Sequence, residues 1–236
     1  MFTHKMLEAA LGAISKNPRE QMWSAFLPKV DPGVDLLVFM ALLKQSYADL
    51  VAEFDGVPHI VIMGRYVDAA FTHSATRVVL IQIAKTLGAE TSSPQGLAKL
   101  ISAESLRTHV EFEVLVGEYA QKCMKKCVRE INILYQIFIS LKPLIRWPDL
   151  TIMLDLPIKD IKVREVRREQ RVYNNGDILY SSITAELYKF LVIRELGRID
   201  LIDATRSRED IAAEVQSLIL RKFNLGDYRR RKIRKR

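Results

Sequence analysis

The sequence predicts an α/β protein: a parallel sheet of few strands flanked by helices. Three observations carry that prediction. His59–Met63 and Leu150–Leu156 are short apolar runs without polar alternation, the pattern of strands covered on both faces. A third strand reads over Arg198–Asp203, and the segments between the strands carry apolar residues at helical spacing. Strand and helix alternating in this way is the grammar of a parallel sheet under helices. The sheet is small for 236 residues, three strands where about five would be usual.

The elements follow in order. Met6, Leu7, Ala10, Leu11 and Ile14 recur at helical spacing and Pro18 closes that segment. Asp31-Pro32-Gly33 forms a turn, with Asp31 as N-cap of a helix carrying Leu36, Leu37, Met40, Leu43, Tyr47 and Leu50. Asp55–Pro58 stops it and the first strand follows. Residues 75–146 read as almost wholly helical: an apolar segment Val78–Ala84 ending near Gly88, a loop at Ser92–Gly96, then a long helix or helix pair from about Ser102 to Leu141. Pro143 and Pro148 bracket the entry to the second strand and Pro157 stops it. A charged helix through about Val172, a turn at Asn174–Asp177, a helix over Ser181–Leu196 and the third strand come next. Ser207 with Asp210 is a capping pair with Asp in place of Glu, opening a helix that ends near Phe223.

Composition narrows the function classes. Apolar residues make up 49% and charged residues 27%, as in a soluble globular protein. No apolar run approaches the roughly 20 residues of a membrane helix, and Met1–Met6 precedes no secretory h-region. The expectation is a cytoplasmic protein with no membrane partner. Cys123 and Cys127 are read as reduced thiols, because pairing them within one helix would distort it. His73 and His109 lack a partner at ligand spacing, so no metal site is expected.

The net charge is +8, and its location decides its meaning. Arg229, Arg230, Arg231, Lys232, Arg234, Lys235 and Arg236 hold seven of those charges, which leaves the rest at +1. Such a run repels itself and is read as a disordered tail suited to nucleic acid or another polyanion. The domain reading is one α/β domain over residues 1–228, with a helical insertion at about 75–146, and a tail at 229–236.

The ordered set of pieces resembles the thymidylate kinase family, over roughly residues 5–72 and 147–222. Val34–Gln45 and Gly64–Asp68 resemble the family's helix and the strand end bearing Asp-Arg-Tyr/Phe. Pro148–Pro157 is similar to the strand after which its arginine-rich lid begins. Arg164, Arg167, Arg168 and Arg171 follow at i, i+3, i+4 and i+7 on one helical face. Glu186–Tyr188 and Ile202–Ser207 resemble the segment lining the adenine side. The resemblance implies a P-loop nucleotide-kinase-like fold, truncated at its N-terminus and expanded in its helical middle. It implies Arg65 as a substrate-phosphate contact, the four lid arginines as ATP-phosphate contacts, and Asp203 and Thr205 as the adenine-side loop. Arg65 also reads as a strand-end arginine paired with a carboxylate, and the lid as a solvated face balanced by Glu165 and Glu169. Asp155 stands where the family also has Asp, and a structural role suits it.

Departures from the family pattern shape the functional reading. No glycine in the chain precedes a lysine, so G-x-x-x-x-G-K-[ST], which holds the donor phosphates and metal, does not occur. Gly64 replaces the acidic residue of Asp-Arg-Tyr. Where the family places Ser and then a Tyr-Gln pair that holds the base, this chain has Ala69, Ala70, His73 and Ser74. The expectation is a degenerate, non-catalytic relative acting as a binding or scaffold subunit. Its partners would be a second copy, a related chain, or nucleic acid through the tail. The alternative is an active dTMP kinase whose phosphate loop comes from another chain or was lost upstream of the start; only that reading requires ATP and Mg²⁺.

Overall fold

The computed structural model describes residues 31–52, 67–157, 160 and 174–223, and of residues 35, 42 and 45–52 the backbone alone. The expected opening helix, the strand at His59–Met63, the helix after Pro157 and the basic tail lie outside the described residues. Within them the chain is mostly helical with a small parallel sheet, compatible with the α/β class. In order come α1 (Pro32–Ala52), α2 (Val67–Leu87), α3 (Pro94–Thr108), α4 (Phe112–Lys126), α5 (Val128–Ser140), a 3₁₀ turn (Lys142–Leu144), β1 (Thr151–Asp155), α6 (Asn175–Arg194), β2 (Ile199–Asp203) and α7 (Arg208–Lys222). Contacts divide the chain into two compact units, Met1–Trp147 with Asn174–Leu187, and Pro148–Tyr173 with Tyr188–Arg236.

The first unit is built around α2, which packs against α1, α3, α4 and α5. Val67, Ala70, Phe71, Ala75, Val79, Leu80 and Ile83 are all buried. Phe71 is its aromatic anchor, 5.2 Å from Phe138 and edge-on to Tyr135 at 6.0 Å between ring centroids. Phe138 in turn meets Trp147 at 4.6 Å. Such offset and edge-to-face pairs contribute about 0.5–1.5 kcal/mol each beyond area burial. The glycine expected to end this helix does so. Gly88 adopts φ +64°, and Ala89 N–H donates to Ala84 O at 2.9 Å, closing the last turn.

Asp31 caps α1 as expected, its Oδ1 accepting from Gly33 N–H at 2.8 Å, and Leu36, Leu37 and Met40 of the expected stripe are buried. Two expected loops are instead helix starts. At Ser92–Gly96, Ser93 caps α3 by accepting from Gly96 N–H at 3.1 Å, with Pro94 at the first helical position. A Cβ on Gly96 would sit 2.5 Å from Thr91 Cγ2 and 2.9 Å from Ser93 Oγ, so a side chain here would displace the capping side chain and its neighbour. At Asn174–Asp177, Asn174 Oδ1 accepts from Asp177 N–H and Asp177 Oδ2 accepts from Asn174 N–H, both at 3.1 Å. This reciprocal cap starts α6 about two turns before the expected Ser181.

The long helix or helix pair expected over Ser102–Leu141 is three helices. His109 takes a left-handed conformation at φ 57° and ends α3. Cys127, at φ −105°, separates α4 from α5, although i→i−4 bonds persist on both sides of it. Both cysteines are free thiols and buried. Cys127 Sγ donates to Cys123 O at 2.9 Å, and burial, with Glu130 and Cys123 nearby, pushes its thiol up to about 12.

In the second unit β1 and β2 pair in parallel, with Thr151 opposite Ile199 and Asp155 opposite Asp203. Full cover on both faces is not what these strands receive: Leu154 is 54% and Leu201 42% exposed. Helix α7 buries no residue, so it does not seal the pair. The N-terminal ends of the strands are fastened by one network. Arg198 donates from Nε to Glu195 at 3.0 Å and from Nη1 to Thr151 Oγ1 at 3.1 Å, while Thr151 N–H donates to Arg198 O at 2.8 Å. Gly197, at φ +82°, makes the turn between α6 and β2.

Candidate functional site

Of the residues the sequence nominates, the structure describes two. Arg65, the lid arginines Arg164, Arg167, Arg168 and Arg171, and the tail cations Arg229 to Arg236 lie outside the described residues. Asp203 and Thr205 come together in the loop that leaves β2. Thr205 donates to Asp203 Oδ1 twice, from its N–H at 2.9 Å and its hydroxyl at 2.7 Å. These two bonds, in that order of side chain then backbone, and then Arg206, hold the exposed Asp203 carboxyl below its ordinary value. Arg206 donates to Asp203 O at 3.1 Å and pairs with Glu214.

Parallel α/β sheets place their ligands beyond the carboxyl ends of the strands, which is where this loop lies. Its chemistry does not suit phosphate. Ser207 already caps α7, accepting from Asp210 N–H at 3.1 Å and donating to the Asp210 carboxylate at 2.6 Å. Glu209 and Asp210 then fill the first turn with negative charge, which opposes an anion at a helix N-terminus. The loop offers a polar, neutral-to-acidic edge. Asp155 ends β1 beside it, its backbone carbonyl accepting from Ala204 N–H at 2.8 Å.

The more developed polar site lies in the first unit, between α2 and the first turns of α6. His73 Nδ1 and Tyr180 Oη are 2.7 Å apart, and the imidazole lies 5.0 Å from the Phe39 ring. One turn along, Thr76 and Thr184 bring their hydroxyls to 3.2 Å. Each also bonds back to its own helix, Thr76 to Thr72 O at 2.7 Å and Thr184 to Tyr180 O at 2.9 Å. A hydroxyl carries one hydrogen, so a direct Thr76–Thr184 bond requires one of them to release its carbonyl. Asp68, Thr72, Ser74 and Thr76 of α2 are buried polar residues, Ser74 and Thr76 wholly so.

Sequence reasoning missed Tyr180, Thr76 and Thr184. The available signal was two i, i+4 polar pairs, Thr72/Thr76 and Tyr180/Thr184. Among the described residues no group of three or more His, Cys, Asp or Glu is placed to hold a metal ion, and no helix is long and apolar enough to cross a membrane. No family model matches the chain, and no curated protein or solved structure matches it.

Proposed function

We propose that this chain is a degenerate thymidylate-kinase-like protein that transfers no phosphate and works as a binding or scaffold subunit. One observation carries the reading. His73 and Ser74 stand where the resemblance expects the pair that holds a nucleotide base. Ser74 is fully buried, and His73 is bonded through Nδ1 to Tyr180. A side chain bonded to a second helix, and one closed off from solvent, are not open to a base. Gly64 supports the same reading, since it supplies no carboxylate near the reacting phosphates.

In this account the polar chemistry of the base-contact position has become packing between α2 and α6, and the helical body serves a protein partner. A second copy of this chain or a related one is the proposed partner. Calorimetric titration with dTMP tests the base site. No saturable heat is expected; stoichiometric dTMP binding that disappears in Arg65→Ala would contradict the proposal.

A further inference from the structure

The end of α4 and the start of α5 carry a stripe of cations that the reading above does not use. Lys122, Lys125, Lys126 and Arg129 fall at i, i+3, i+4 and i+7, and all four are exposed. Between them Cys123 and Cys127 turn to the core and are buried. The i→i−4 bonds Cys127 N–H to Cys123 O and Ile131 N–H to Cys127 O, both 3.0 Å, carry the helical course through the junction. The four cations thus follow one another along one outer surface.

None of the four is in an ion pair among the described residues. Glu118, one turn before Lys122, is the acid on this face and is also unpaired, while Glu130 follows Arg129. Helix-end electrostatics account for part of the pattern, since Lys125 and Lys126 occupy the last turn of α4. They do not account for Arg129, which lies beyond the last turn of α4 at the start of α5.

We propose that the Lys122–Lys125–Lys126–Arg129 stripe is a contact surface for the phosphate backbone of double-stranded nucleic acid. Seven residues of helical rise span about 10 Å, the axial length of about three successive phosphates on one strand. The aromatic residues of α4 and α5 favour a duplex over a single strand. Phe112 and Tyr119 are half-buried, and Tyr135 and Phe138 are buried. Single-strand surfaces stack bases on exposed aromatics, and α4 and α5 expose no fully open aromatic ring here. Contacts to phosphate carry no sequence information, so binding is indifferent to sequence. The stripe belongs to the first unit and is separate in sequence from the basic run at 229–236.

The test uses the full chain and a fluorescein-labelled mixed-sequence DNA duplex, read by anisotropy across a salt series. Replacing all four residues with Gln should weaken binding at least tenfold at about 0.1 M salt and flatten the slope of log K against log salt by about 3.6. The single changes Lys125→Gln and Arg129→Gln should each flatten it by about 1, which keeps the test decisive if the quadruple variant misfolds. Unchanged affinity and slope in these variants, with binding lost only on removing residues 229–236, would overturn the proposal. So would tighter binding to the matching single strand, or equal binding to poly-glutamate.

Discussion

His73 on α2 and Tyr180 on α6 are joined by a 2.7 Å hydrogen bond across 107 residues of chain. It fastens α2 to the N-terminal part of α6 within the first unit. Tyr180→Phe keeps the ring and removes the hydroxyl. It should cost about 1–2 kcal/mol, the range for stranding a half-buried polar group. Urea unfolding of Tyr180→Phe, His73→Phe and the double variant gives the coupling, and the double change should cost clearly less than the two singles added.

Arg198 and Glu195 form a largely buried ion pair, with side-chain exposures of 13% and 6%. Arg198→Met removes the cation and leaves Glu195 in place, and also strips Thr151 of a bond. Loss of one member of a buried pair costs about 3 kcal/mol. A fall in the denaturation midpoint of the second unit, smaller in Arg198→Met with Glu195→Gln, checks it.

Asp203 contributes to stability with a definite sign. Its folded carboxyl titrates below the ordinary value because of Thr205 and then Arg206. Its stabilisation is therefore full above the unfolded carboxylate value and is lost as pH falls through the lower folded one. Thr205→Val removes the hydroxyl bond, so the Asp203 titration followed by NMR should move upward toward the ordinary value. An unmoved titration would mean that the backbone bond alone sets it.

Cys127 should be inert in the native protein. Its thiol is pushed up to about 12, first by burial, and the thiolate is the reacting form. A thiol reagent at neutral pH should label neither cysteine until the chain is unfolded, and then both. Rapid native labelling of Cys127 would contradict the packing at the α4–α5 junction.

Much of the frame was legible in the sequence where local chemistry decides it. The Asp31 and Ser207 caps, the glycine stop at Gly88, and the strand segments Thr151–Asp155 and Ile199–Asp203 taken singly all rest on residues within a few positions of each other. The errors have equally local causes. Ser92–Gly96 and Asn174–Asp177 are rich in turn formers, and the same residues cap helices, so composition alone did not separate a loop from a helix start. The break at Cys127 carries no Gly or Pro to announce it. His109 reaches a left-handed conformation without being glycine, so no residue type announced that helix stop. The His73–Tyr180 bond was out of reach because two distant helices define it. The cation stripe was present as spacing in the sequence, and its exposure came only from the fold.

The central claim is that this chain carries no phosphoryl transfer of its own. The direct measurement is production of dTDP from dTMP and ATP–Mg²⁺ by the purified full chain, with Arg65→Ala alongside. The account predicts no turnover above the buffer rate in either protein. ATP-dependent dTDP formation by the native chain that Arg65→Ala abolishes would contradict it.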